Sequence, residues 1–165
     1  MKVVIQRNLP LNITYALIDK KYIPIEQSAG AYCCDNCGAL IANIATVKDA
    51  AGKVSNIGFD CLETILINNS LLSTGDIAQY ERAKKMIPKI IRFSKTLKET
   101  IELNNGRLTG FKFERPDNFM PEYITYWLLS SGKPYNTYVK IKDIDFEFLI
   151  DTLKNIFPRL DIITN

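Results

Sequence analysis

The chain has 165 residues, of which 47% are hydrophobic and 24% are charged, so it can bury the core of a soluble globular protein. The net charge of +3 permits contact with nucleic acid without requiring it, and no stretch approaches the about 20 apolar residues of a membrane span. Residues 1–32 predict a β-rich lead-in, with strands over 3–6 and 13–18 and a turn over 19–21. The N-terminus lacks the apolar core of a signal peptide, which favours the cytoplasm, where thiols stay reduced.

All four cysteines lie in one short segment of the chain. Cys34 and Cys37 precede Gly38 in a Cys-x-x-Cys-Gly turn, a spacing that presents two thiolates at the tip of a tight knuckle. Strands are predicted over 40–47 and 54–57, and Gly52 suits the turn between them. This segment therefore predicts two half-sites for a metal, separated by a β-hairpin.

The last cysteine is predicted to lie in the first turn of a short helix over 61–67. Asp60 stands at the expected N-cap, with Glu63 three residues later in a capping-box spacing. The positive end of the helix dipole is expected to orient Cys61 and lower its pKa. Cys61 is thus the predicted third ligand, and a small buried core cysteine is the alternative.

A tetrahedral Zn²⁺ site needs a fourth ligand, and the chain has no histidine to supply it. The remaining candidates for the fourth ligand are Cys33, Asp60, a water or a residue of a partner. Cys33 is the first choice, although adjacent strand residues point to opposite faces and Cys33 can instead face the core. The predicted ligands of Zn²⁺ are therefore Cys33, Cys34, Cys37 and Cys61, and a redox-active Cys34–Cys37 pair is the alternative.

Residues 32–66 resemble a treble-clef or zinc-ribbon-like finger of the kind found in many small phage and mobile-element proteins. The matching residues are Cys34, Cys37, Gly38, Ile41, Gly52, Gly58, Asp60 and Cys61. This resemblance covers about a fifth of the chain. It implies a structural zinc in a knuckle, hairpin and helix, in proteins that often lack an assigned activity.

The remainder of the chain predicts helices and strands in mixed order. A long helix begins near Asp76, which can cap it, and ends before the turn at 104–106. Strands are predicted over 107–115 and 135–141, helices over 121–129 and 146–157, and a turn over 131–134. The predicted fold class is α+β: a zinc-finger region over 1–72, joined to a helical and mixed region over 73–165 and packed with it as one compact unit.

The long helix is strongly basic. Lys85, Lys89 and Arg92 fall on one face of it and are the predicted nucleic-acid contacts. The alternatives are a solvated outer face and pairing with the acidic residues of 143–151. Phe111 and Phe113 can stack on bases if they lie on an exposed sheet face, although core packing is favoured. A buried helical stripe is predicted for Tyr123, Tyr126 and Trp127.

These patterns predict a small zinc-binding regulatory protein that binds nucleic acid through the basic helix. The alternative is a phage or mobile-element protein that acts through a protein partner, as a host-factor or defence inhibitor or adaptor, with a purely structural zinc. Catalysis is not predicted, because the chain lacks histidine, a Gly-rich phosphate loop and a nucleophile elbow. A metal-dependent enzyme would need an open coordination position.

Overall fold

The computed structural model describes residues 8–27, 32–116, 119, 122–130 and 135–164. It is an α+β structure in two compact units, Met1–Lys84 and Lys85–Asn165, which divide within the longest helix. The elements in chain order are β1 (Tyr15–Tyr22), a 3₁₀ turn (Ile25–Gln27), β2 (Asn43–Asp49), β3 (Val54–Gly58), α1 (Phe59–Cys61) continued by π-helical turns (Leu62–Ile67), α2 (Thr74–Leu103), β4 (Leu108–Glu114), β5 (Tyr123–Ser130), β6 (Tyr135–Lys140), α3 (Phe146–Ile156) and β7 (Asp161–Thr164).

The first unit contains a three-stranded antiparallel sheet in the order β1-β2-β3. The predicted β2–β3 hairpin is confirmed: Val47 pairs with Ser55, and Gly52 has a positive φ of 92° in the turn. Such a φ costs little for glycine because it has no Cβ. Ile44 and Ile57 of this sheet are fully buried, and the register places them on opposite faces of it. The hairpin thus carries the turn before β2 and the helix after β3 to one end of the sheet.

The predicted turn over 19–21 is wrong, because β1 continues through this segment to Tyr22. Lys20 pairs with Ala45 and Lys21 with Ile44, and a register shift between Leu17 and Asp19 absorbs the irregularity. Pairing with a neighbouring strand satisfies the backbone of this polar segment better than a turn would.

Both predicted aspartate caps are wrong. Gly58 occupies the N-cap of α1 without a side-chain bond, while Asp60 is exposed within that helix. At the start of α2, the hydroxyl of Ser73 provides the cap by accepting a hydrogen bond from the Asp76 N–H at 3.1 Å. The Asp76 side chain instead accepts, through Oδ2, a hydrogen bond from the Leu17 N–H at 3.0 Å. Asp76 therefore joins the helix to β1 instead of capping it.

The second unit contains a four-stranded sheet in the order β6-β5-β4-β7, with β7 parallel to β4. One face of this sheet is its core face: Phe111, Phe113, Ile124 and Tyr126 are buried there. The ring of Phe93 in α2 lies 6.3 Å from that of Phe113 and 5.6 Å from that of Tyr126. The strands over 107–115 and 135–141 and the helix over 146–157 are confirmed with small changes of bounds.

The predicted helix over 121–129 is wrong, since Tyr123–Ser130 is the strand β5. Ile124, Thr125 and the neighbouring rings suit the pleated surface of a sheet, and a short apolar run does not distinguish helix from strand. The predicted strand over 3–6 and turn over 131–134 lie outside the described residues. Within the described ranges, no helix is long and apolar enough to cross a membrane.

Candidate metal centre and basic surface

Three cysteines come together at the end of the first sheet. The Sγ atoms of Cys34, Cys37 and Cys61 all lie within 4.8 Å of one another. In a tetrahedral zinc site with Zn–S bonds of about 2.3 Å, sulfurs are about 3.8 Å apart. Cys34 and Cys61 are buried, and Cys37 is half-buried. The group could therefore hold a metal ion after small side-chain movements.

Backbone hydrogen bonds hold the turn that carries the first two cysteines. Gly38 N–H donates to the Cys34 carbonyl at 2.7 Å, with Gly38 at a φ of 77°. Asp35 anchors this turn to β3: its N–H donates to the Asn56 carbonyl at 2.8 Å, and its Oδ2 accepts from the Asn56 N–H at 2.7 Å. The two thiols are thus positioned relative to the strand that leads into Cys61.

Backbone amides also stabilise the thiolate of Cys34. Burial raises the pKa of Cys34, but the N–H groups of Gly58, Cys37 and Asn36 lower it, and the net shift is downward. The Gly58 N–H lies 3.4 Å from the Cys34 sulfur. Amide donors around a sulfur are the surroundings expected of a metal-binding thiolate.

The environment of Cys61 differs from the prediction. Burial raises the pKa of Cys61 to about 12, the Asn36 amide opposes this shift, and Cys34 and Cys37 add to it. The predicted lowering by the helix dipole is therefore wrong, because burial and neighbouring thiols outweigh a helix start of three residues. A divalent cation would relieve this conflict, because its two positive charges offset two of the three negative charges of the thiolates.

Asn36 supports the cluster and was missed by the sequence patterns. Its side chain is fully buried, and Nδ2 lies 3.4 Å from the Cys61 sulfur. Its Oδ1 accepts from the N–H groups of Asn8 at 3.1 Å and Leu9 at 3.4 Å. A polar residue between two cysteines was the available signal, but its partners lie far away in the sequence.

Cys33 is not part of the three-cysteine group. It is exposed, and it forms an isolated β-bridge with Leu40. Asp60 instead lines, together with the three cysteines, an open cavity of about 260 Å³. The three sulfurs therefore lie beside an open cavity, and the Asp60 carboxylate is not among the donor atoms that converge.

The three predicted nucleic-acid contacts lie on α2 in the second unit. Lys85 and Arg92 are exposed, and Lys89 is half-buried, with Nζ donating to the Lys142 carbonyl at 2.9 Å. Among the described residues, no carboxylate forms an ion pair with these three side chains. The acidic residues of 143–151 form no ion pair with them within the described part of the chain: Glu147 pairs with Arg115, and Asp145 caps α3 by accepting from the Phe148 N–H.

The proposed stacking of bases on Phe111 and Phe113 is wrong. Both rings are fully buried in the core of the second unit. Their alternation along β4 places Lys112 on the opposite face of the sheet. The prediction that these two phenylalanines pack in the core is thereby confirmed.

No protein-family model, curated protein or solved structure matches this chain. The resemblance of residues 32–66 to a treble-clef or zinc-ribbon-like finger therefore stays a prediction. Any function proposed for the protein depends on the geometry of the cysteine group and of the basic surface.

Proposed function

We propose that this is a small zinc-binding regulatory protein that binds nucleic acid through the basic face of α2. The observation that carries the metal part is the convergence of three thiols with amide donors aimed at two of the sulfurs. The observation that carries the nucleic-acid part is a row of three cations without acidic partners among the described residues.

Zinc is the metal that this group of donors favours. Soft thiolate ligands select Zn²⁺, Cu(I) and iron–sulfur clusters, whereas Mg²⁺ and Ca²⁺ require oxygen donors. Iron–sulfur clusters are usually held by four protein ligands, and only three sulfurs converge among the described residues. Zn²⁺ accepts a fourth ligand of mixed type, such as the Asp60 carboxylate or water.

The metal acts as a structural cross-link in this proposal. It joins the turn at Cys34 and Cys37 to the helix that begins at Phe59, two segments on either side of the hairpin. Structural zinc supplies on the order of 10 kcal/mol of apparent binding free energy, and this becomes folding free energy when the unfolded chain lacks a site. The finger-like knuckle, hairpin and helix would then depend on the ion.

Elemental mass spectrometry of protein purified without chelator tests the metal. We expect one zinc per chain in the wild type and its loss in Cys37→Ser and Cys61→Ser. Cys33→Ser is the matched control, since it removes a thiol outside the group and should keep the zinc. Asp60→Asn tests the fourth ligand. A wild-type protein without metal under reducing conditions would refute the proposal.

Nucleic-acid binding is expected to depend on salt. Each phosphate contact releases condensed counterions, so the logarithm of affinity falls linearly with the logarithm of salt concentration. Replacing Lys85, Lys89 and Arg92 by glutamine should reduce the magnitude of this slope by about 2 for a single strand. Fluorescence anisotropy with a labelled oligonucleotide at several salt concentrations measures it.

The control for this variant must lose the same charge elsewhere. Lys48, Lys53 and Lys154 are exposed, and their replacement by glutamine also removes three positive charges. This control should keep most of the slope, because its cations lie outside the proposed contact face. Equal slopes in both triple variants would show that the binding follows net charge and would refute the assignment to α2.

A further inference from the structure

The four-stranded sheet of the second unit has a second face, opposite the one that packs on the helices. Residues alternate between faces along a strand, so Lys112 on β4 and Tyr123 and Trp127 on β5 lie opposite the buried Phe113 and Tyr126. The side chains of Lys112, Tyr123 and Trp127 are half-buried, as expected where neighbours across the strands shield one another.

Cations lie over both rings on this second face. Lys112 pairs with Trp127 across the strands, and its Nζ is 5.4 Å from the centroid of the indole ring. Lys140 of β6 pairs with Tyr123, and its Nζ is 5.7 Å from the centroid of the phenol ring. Each ring therefore carries a positive charge beside a flat surface, a combination suited to a base and its phosphate.

The edge strand β6 of this face also borders a cationic groove, whose other wall is α2. Lys140 and Lys142 from β6 and the segment after it, with Lys89 and Arg92 from α2, line a cavity of about 300 Å³. Its apolar lining includes Phe93. The bond from Lys89 Nζ to the Lys142 carbonyl holds the two sides of the groove together. Lys140 belongs both to the groove and to the ring-bearing face.

Acidic residues also lie on or beside this surface. Glu122 forms an ion pair with Lys140 at 3.1 Å, Glu114 faces Thr125 across the strands, and Asp161 of β7 pairs with Gly110 on the same face as Lys112. Lys140 is exposed, so its pair with Glu122 is screened by water and can be exchanged for a phosphate at small cost. Lys89, Arg92 and Lys142 remain as cations of the groove.

We propose that this surface binds single-stranded nucleic acid, with phosphates along the groove and bases stacked on Trp127 and Tyr123. The proposal rests on the nucleic-acid binding proposed above and specifies its strand class and its base contacts. A single strand is required because the faces of bases in a duplex are already covered by their neighbours, whereas a single strand can present them to a ring. Stacking tolerates any base, so little sequence preference is expected.

The chain contains one tryptophan, Trp127, which makes its intrinsic fluorescence a direct reporter. Titration with oligo-dT and with oligo-U should quench this fluorescence, and the comparison of the two distinguishes DNA from RNA as the preferred source of the strand. A duplex of the same length and inorganic polyphosphate should bind more weakly or bind without quenching, since neither offers free base faces.

Replacing Trp127 by leucine should weaken binding of a labelled single strand by about 5- to 150-fold, the equivalent of one stacked base. Tyr123→Leu is the second variant and should give a loss of the same order. Tyr32→Leu is the matched control, because Lys21 Nζ lies 4.8 Å from that ring centroid in the first unit. Tyr32→Leu should leave the affinity unchanged.

The outcomes separate this proposal from the one on which it rests. Salt-dependent binding without quenching, equal for single strand and duplex, would refute stacking while leaving the cationic contact on α2 intact. Absence of any binding at low salt would refute both. Quenching by oligonucleotide, with affinity lost in the Trp127 and Tyr123 variants and kept in the Tyr32 variant, would establish the stacking surface.

Discussion

Asn36→Ala is the sharpest test of how the protein supports its cysteine group. The substitution removes an N–H donor 3.4 Å from the Cys61 sulfur without changing any of the three thiols. Since the amide lowers the pKa of Cys61 against burial, its loss makes the thiolate less favourable. Loss of such a supporting contact typically weakens metal binding about 10- to 100-fold, which corresponds to about 1.4–2.8 kcal/mol.

The same substitution also affects the metal-free fold. Asn36 Oδ1 accepts from the backbone N–H groups of Asn8 and Leu9. Asn8 is exposed, whereas Leu9 is buried. Water can replace the bond to Asn8, whereas a buried donor without a partner costs about 1–3 kcal/mol. The free energy of unfolding of the metal-free protein should therefore fall by about that amount.

Two measurements separate these effects. Competition with a chromophoric zinc chelator at fixed pH gives the metal affinity, and urea unfolding in excess chelator gives the stability of the metal-free protein. Asn68→Ala is the control, because Asn68 is exposed, and both values should stay within error of the wild type. An Asn36→Ala protein that binds zinc as tightly as the wild type would show that the amide does not support Cys61.

Two further predictions concern a carboxylate of the first unit and a glycine of the second. Hydrogen bonds from Lys84 and Tyr80 lower the pKa of Glu63 below its usual 4.5. A carboxylate whose pKa is lower in the folded than in the unfolded protein stabilises the fold at pH values above the unfolded pKa. The wild type should therefore be more stable than Glu63→Gln at about pH 6, and this difference should be lost as pH falls below about 4.5. Urea unfolding at several pH values measures the difference. A Cβ on Gly110 would collide with the Asp161 carbonyl oxygen, so Gly110→Ala should displace β7, increase amide exchange there and lower the thermal midpoint.

Both substitutions have controls of the same chemical type. Glu81→Gln removes an exposed carboxylate from α2 and should lower the stability at about pH 6 less than Glu63→Gln does. Gly75→Ala adds a Cβ that meets only the Ser73 hydroxyl oxygen at 4.0 Å, and alanine favours the helix. Equal stability losses in Gly75→Ala and Gly110→Ala would contradict the collision with β7. A Glu63 effect that does not decrease as pH falls below about 4.5 would contradict the role of its ionised carboxylate.

The cysteine turn and the hairpin were predictable because their signals are local. Cys34, Cys37 and Gly38 specify a turn within five residues, and Gly52 marks the hairpin that brings Cys61 back to it. Whether Cys33 belongs to the three-cysteine group was not predictable in the same way. The adjacent residues Cys33 and Cys34 differ in the face of the chain on which their side chains lie. This difference is set by the β-bridge between Cys33 and Leu40, a contact outside the turn.

The predictions of the two N-cap residues were wrong for a related reason. Asp60 and Asp76 both satisfy the spacing of an N-cap, yet Gly58 and Ser73 hold those positions. Asp76 is used instead by the N–H of Leu17, which lies on a strand far earlier in the chain. A carboxylate near a helix start has several possible donors, and local spacing does not rank them against a tertiary partner.

The error over residues 121–129 had the largest consequence for function. In a helix, Tyr123, Tyr126 and Trp127 share one face, which predicts a buried stripe and no surface role. In the strand β5, alternation separates them: Tyr126 packs in the core against Phe113, while Tyr123 and Trp127 lie on the opposite face. The period of the structure thus decides which of these rings pack in the core and which lie on the opposite face of the sheet. The cations beside them come from β4 and β6, so the surface exists only after strands that are distant in sequence have paired.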